Sequence, residues 1–171
     1  MDAIEMLQKY KNNSTEINEH LRSGVINSET CVLDELFVEN EVPPTLYRLL
    51  DNNFIEFDGD IYCDLAYLSC TDDIDNFILK TDPSDHLACF KLNMPSSFPC
   101  VHVEDLLPEY DGEGEYILPR SLKLKLVEEP QEYNTLLLFD EFLDEQNSVT
   151  GSKELWAHGI RIITLYTLEI V

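Results

Sequence analysis

The double proline Pro43-Pro44 constrains the fold of this chain more than any other feature, because the hydrophobic pattern differs on its two sides. Proline lacks an amide donor and holds the preceding residue out of the helical region, so no helix runs through the pair. Before it, "DAIEMLQKY" and "STEINEHLRSG" carry apolar residues at three-to-four spacing, which predicts helices with Ser14 or Thr15 as N-cap and Gly24 just past the end. "SETCVLDELFVEN" predicts another, capped by Ser28, with Val32, Leu33, Leu36 and Phe37 on one face. Beyond the prolines, "TLYRLL", "IYCDLAYLSCT", "HLACFKLN", "EYILP", "LKLKLV" and "GIRIITLYTLEIV" are rich in β-branched and aromatic residues and read as strands. One helix is expected after Thr71, where "DDIDNFILK" places aspartates in a first turn and Ile74, Phe77 and Ile78 on a face. "NTLLLFDEFLDEQ" fits either a helix capped by Asn134 or a strand followed by a helical turn.

Helices followed by strands, without alternation, predict an α+β fold with an antiparallel sheet or two packed sheets. The expected organisation is one domain over 1–171, helical over 1–42 and mainly β over 43–171.

Composition removes several function classes. With 34 acidic against 11 basic residues the formal charge is -23, so the chain repels phosphate and direct nucleic-acid binding is disfavoured. The cysteines (Cys31, Cys63, Cys70, Cys89, Cys100) form no Cys-x-x-Cys pair and the histidines lack ligand spacing, so neither disulfides nor a metal are expected. The opening "MDAIEMLQKY" has neither a basic n-region nor an apolar h-region, and no run reaches the roughly 20 apolar residues of a membrane span. A soluble, cytoplasmic protein without membrane contact is expected. The scattered glycines form no phosphate-binding loop, so any nucleotide must be held another way.

Three places carry chemistry. Arg48 sits alone among apolar residues in "PTLYRLLDN", where a guanidinium needs a carboxylate partner or an anionic ligand such as a diphosphate. In "LAYLSCTDD", Ser69 and Thr71 share a strand face; they either end a strand and cap a helix, or position a catalytic carboxylate. In "DGEGEYILPR", Glu113 and Glu115 also share a face, and two unpaired carboxylates there favour a cationic partner.

In this order the pieces resemble the mono-ADP-ribosyltransferases of the Arg-Ser-Glu class. The family's early "Y…IN.LR" helix is matched by Tyr10, Ile17, Asn18, Leu21 and Arg22, and its "YRG" strand by "LYRLL". "GDIYCDLAYLSCT" resembles its "G…FLSTS", and "EGEYILPRSLKLKLV" its E-x-E followed by "LLPRG..F.V". The resemblance covers most of residues 10 to 127. Departures are Leu49 for the glycine of "YRG", Cys70 within Ser-Thr-Ser, with its side chain expected in the core, and Ser121 for a glycine after the arginine.

The resemblance implies a cleft for the substrate NAD between two small packed antiparallel sheets. It implies that Arg48 contacts the diphosphate, that Ser69 holds the nicotinamide ribose and Glu115, and that Thr71 supports the strand. Glu115 is then the catalytic glutamate, Glu113 serves the acceptor, and Tyr110 shapes acceptor recognition. In this family Glu at the first E-x-E position accompanies arginine acceptors, so arginine-bearing protein targets are expected. The compact length resembles bacteriophage enzymes, which would place it in a host cytoplasm, and the acidity suits basic acceptors such as nucleic-acid-binding proteins. The alternatives are an acidic mimic of nucleic acid without catalysis and an NAD glycohydrolase that uses water.

Overall fold

A computed structural model describes residues 2–51, 55–74, 86–134 and 162–171. The helix expected over "DDIDNFILK" lies, beyond Ile74, outside the described residues, as does "NTLLLFDEFLDEQ" after Asn134. None of the described helices is long and apolar enough to cross a membrane.

The N-terminal helices form as the periodicity requires, with different caps. α1 (Ala3–Arg22) is one helix kinked at Asn13 (φ -133, ψ 31), so Ser14 and Thr15 lie inside it and cap nothing. Its cap is Asp2, which accepts from the Glu5 amide at 2.8 Å while Glu5 accepts from the Asp2 amide at 3.0 Å. Gly24, at φ 81°, ends it in the left-handed conformation expected of a C′ glycine. α2 (Ser28–Asp34) is capped by Asn27, one residue before the expected Ser28, through reciprocal bonds with Thr30. The amide of Asn27 supplies the same kind of acceptor as a serine hydroxyl, so the shift leaves the helix in place.

The expected helical span 1–42 is shortened, because Val38–Glu41 is a strand, β1. It pairs antiparallel with β6 (Ser97–His102), Val38 opposite Cys100, and this long-range pairing overrides the local pattern. Pro99 hides β6 from a sequence reading, since proline gives no ladder donor and argues against a central strand. β2 (Thr45–Asp51), β5 (His86–Asn93), β7 (Glu115–Leu118), β8 (Lys123–Leu126) and β10 (Ile162–Ile170) fall where expected. "IYCDLAYLSCT" divides into β3 (Ile61–Cys63) and β4 (Leu68–Thr71), and β9 (Gln131–Asn134) is additional. Asp64 causes the division: its carboxylate turns inward to accept from the Ala66 amide at 2.9 Å and from Arg22 at 2.9 and 2.7 Å. Burial opposes its charge, but the Arg22 and Ala66 bonds prevail and hold the carboxyl below its ordinary range.

The sheet order is β1-β6-β7-β4-β2-β5-β10-β8-β3, with β9 beside β10. The expectation of wholly antiparallel pairing is corrected at one place, where β10 runs parallel to β5 from Ile162↔His86 to Glu169↔Asn93. A parallel neighbour requires a long crossover, which the intervening strands β6 to β9 supply. β4 and β2 pair only at Tyr47↔Thr71, so the order is pinched into two halves. Leu46, Phe90 and Leu168 from one half and Leu68, Cys70 and Tyr116 from the other make one buried cluster, which places the halves face to face. Cys70 thus lies in the core as expected, where burial pushes its thiol up to about 12. Across the opposite face of β4 and β7 lies α1, whose Met6, Leu7, Tyr10 and Leu21 pack with Tyr67, Val101 and Ile117.

Ser121 stands at φ 62°, in the left-handed region where the family resemblance shows a glycine. A side chain there costs roughly 1 to 2 kcal/mol, partly offset by the greater unfolded-state freedom of glycine. Ser121→Gly is therefore expected to stabilise the protein by up to about 1 kcal/mol in denaturant unfolding, whereas Ser121→Val destabilises it.

Candidate active site

The site is built on the α1-facing side of β4 and β7. Strand alternation puts Leu68 and Cys70 in the inter-sheet core, so Ser69 must face the other way. The ladder sets Ser69 opposite Ile117 and Thr71 opposite Glu115, which makes Ser69 and Glu115 diagonal neighbours on one face. The Ser69 hydroxyl donates to Oε1 of Glu115, and its backbone carbonyl accepts from Nη1 of Arg48 at 2.9 Å. One residue thus ties the arginine of β2 to the glutamate of β7. The Nε atom of Arg48 is buried and has no hydrogen-bond partner among the described residues.

Thr71 is fully buried, and its hydroxyl lies 3.0 Å from the Asp73 carbonyl and 3.3 Å from that of Glu113. It therefore supports the loop that carries Glu113 and closes the turn after β4. The loop is also held through its glycine: the Gly114 amide donates to Glu104 at 2.5 Å, and its carbonyl accepts from the Asp72 amide at 3.1 Å. Gly114 has a φ of 59°, and a β-carbon added there would stand 2.0 Å from Oδ1 of Asp72. Between two glutamates, only glycine meets both demands.

The cation that two neighbouring carboxylates were expected to attract comes from the chain itself. The Lys11 ammonium on α1 donates to Glu113 at 2.9 Å and to Glu115, and it stands 4.5 Å from the centroid of the Tyr110 ring. Burial works against its charge, but the hydrogen bonds and charges of Glu115 and Glu113 outweigh it and hold its pKa above the ordinary lysine range. Glu113 is the outer of the two, its side chain 28% exposed against 9% for Glu115. Tyr110 ends a one-turn 3-10 helix (Pro108–Tyr110), and its carbonyl accepts from the Glu113 amide at 3.2 Å. All six residues expected at a site (Arg48, Ser69, Thr71, Tyr110, Glu113 and Glu115) are thus joined through direct contacts or through Lys11.

Comparison with known proteins gives the fold. No family model matches the sequence, and no curated protein matches it either. Solved structures do match: Plx2a, an ADP-ribosyltransferase toxin from Paenibacillus larvae, has a TM-score of 0.63 at 16% identity, over 99% of this chain and 85% of its own. The Salmonella SpvB ATR domain has a TM-score of 0.61 at 16% identity, covering 99% of this chain and 98% of its own. The chain has the ADP-ribosyltransferase fold. BECa, an ADP-ribosylating toxin of C. perfringens solved with NADH, shares it at 14% identity and a TM-score of 0.61, over 99% of this chain and 43% of its own.

Within this ADP-ribosyltransferase fold, Lys11, Asp72 and Glu104 escaped the sequence reading. Lys11 and Asp72 act on residues more than forty positions away, and Glu104 reaches Gly114 across ten residues and a turn of helix, so no local spacing marks any of the three. The one available signal was Lys11 following Tyr10 on the helix, without an acidic residue at helical spacing on its C-terminal side.

Gly114→Ala is expected to cost roughly 1 to 2 kcal/mol from the left-handed backbone, plus displacement of Asp72. Thermal unfolding of Gly114→Ala alone and combined with Asp72→Gly checks this: the second change removes the clash and recovers part of the loss.

Proposed function

We propose that the protein is a mono-ADP-ribosyltransferase that transfers ADP-ribose from NAD to arginine side chains of protein targets and releases nicotinamide. The observation that carries this reading is Ser69, which joins Arg48 to Glu115 on a fold shared with ADP-ribosyltransferases. Arg48 suits the NAD diphosphate: it is a permanently charged fork whose buried Nε lacks an acceptor among the described residues.

Glu115, buried and fixed by Ser69, faces the nicotinamide ribose and bonds a ribose hydroxyl. The C–N bond between ribose and nicotinamide breaks with its electron pair leaving on nicotinamide, through a cation-like sugar. A fixed carboxylate in a water-poor site favours that cation over the ground state. An arginine nitrogen of the target then bonds the same sugar carbon. A guanidinium with a pKa above 12 is a poor nucleophile, so Glu113, the more exposed carboxylate, orients it and takes the proton it loses. Tyr110 lies beside that approach. With a formal charge of -23 the protein steers towards basic partners, which favours arginine-bearing, nucleic-acid-binding proteins as targets.

Labelled NAD and a cell lysate test the proposal, with wild type beside Glu113→Gln and Glu115→Gln. Label on arginines of basic proteins, located by mass spectrometry, is expected with wild type. Glu115→Gln should lower nicotinamide release and labelling by about a hundredfold or more. Glu113→Gln should abolish labelling while nicotinamide release persists. Label confined to acidic proteins, or equal labelling by all three, would contradict the proposal.

A further inference from the structure

Lys11 is unusual in touching the three residues to which the proposed reaction assigns the sugar and the acceptor. Its ammonium donates to Glu113 and to Glu115 and lies over the face of Tyr110. The side chain is only 13% exposed, so these contacts are made largely out of water. Glu115 is engaged on both sides, with Oε1 held by Ser69 and Oε2 by Lys11. The carboxylates that would serve the ribose and the guanidinium therefore already hold a cation of the chain's own.

We propose that Lys11 is an internal stand-in for the acceptor guanidinium, occupying the Glu113–Tyr110 position until a target arginine displaces it. This rests on the transferase reading above and adds the specificity of its acceptor side. The chemistry of the two cations makes the exchange selective. An ammonium is a compact point charge on a flexible stem and can withdraw; a guanidinium is a planar fork that pairs with a carboxylate through two bonds and stacks on an aromatic ring. A guanidinium presented on a protein surface gains what Lys11 gives up, whereas water or a weakly held amine does not. While it remains, Lys11 also holds Oε2 of Glu115, the carboxylate assigned to the ribose, so idle hydrolysis of NAD is suppressed.

Steady-state kinetics with NAD and a small free acceptor, ethylguanidine, test this in wild type, Lys11→Met and Lys11→Arg. Removing the cation should lower KM for ethylguanidine by about fivefold or more, the value of one partly buried ion pair, and should raise nicotinamide release without acceptor. Lys11→Arg keeps the pairing with a better-matched cation and should raise the acceptor KM while nicotinamide release without acceptor stays as low as in wild type. An unchanged or higher acceptor KM with a lower kcat in Lys11→Met would overturn the inference, since Lys11 would then support the glutamates. The same fall in both variants would also overturn it. A wild type that releases no nicotinamide with both substrates present would instead overturn the transferase reading beneath it. Should Lys11→Met fail to fold, ethylguanidine titration of the wild type followed by the 15N signal of the Lys11 ammonium decides: displacement supports the inference, and an unmoved signal overturns it.

Discussion

Ser69 is the constraint on which the site depends, because it bonds Arg48 with its backbone and Glu115 with its side chain. The arrangement is a matter of register. Leu68 and Cys70 are drawn into the inter-sheet core, which turns Ser69 towards α1. A slip of one residue would bury the hydroxyl among apolar side chains and expose Leu68 in its place, so the same burial that stabilises the core also fixes the chemistry. The single β4–β2 pair at Tyr47↔Thr71 has the complementary effect. It brings Arg48 within reach of Ser69 and lets the two half-sheets diverge beyond that point.

The second requirement is to hold carboxylates close together in a chain that already carries an excess of them. The loop before β7 meets it with backbone groups and one cation. Glu104 accepts the Gly114 amide, Asp72 donates its amide to the Gly114 carbonyl, and the Thr71 hydroxyl reaches the Glu113 carbonyl. Lys11 then offsets the repulsion between Glu113 and Glu115. Arg22 on Asp64 and Arg120 on Asp34 repeat the same device at the end of α1 and at the end of α2. Three of the few basic residues are thus committed to ion pairs within the chain, and the acidic remainder sets the long-range field.

Much of this was legible in the sequence where the information is local. The alternation in "TLYRLL", "LAYLSCT" and "EYILP" fixes which side chains share a face, and so places Arg48, Ser69 and Glu115 as soon as their strands are located, whereas Glu113 stands in the loop before β7, where Gly114 at φ 59° breaks the extended segment expected to join the two glutamates. The helices over "DAIEMLQKY" and "STEINEHLRSG" were legible for the same reason, though not their fusion across Asn13. What was hidden depends on partners distant in the chain. β1 exists because β6 pairs with it, β6 is masked by Pro99, and the parallel pairing of β10 with β5 follows from chain routing. Lys11 meets Glu113 and Glu115 across 102 and 104 residues, and no local pattern signals such a meeting. The glycine position after the arginine motif was legible as a departure, and Ser121 retains the left-handed backbone that a glycine would favour.

The central claim is that Arg48, Ser69 and Glu115 act together on NAD, and the release of nicotinamide from NAD by Ser69→Ala tests it most directly. Ser69→Ala removes the bond to Glu115 and leaves the backbone carbonyl on which Arg48 rests. The account predicts a fall in kcat of about tenfold to a hundredfold, with KM for NAD nearly unchanged, because only the positioning of the glutamate is lost. Wild-type rates in Ser69→Ala, or a loss confined to KM, would contradict it.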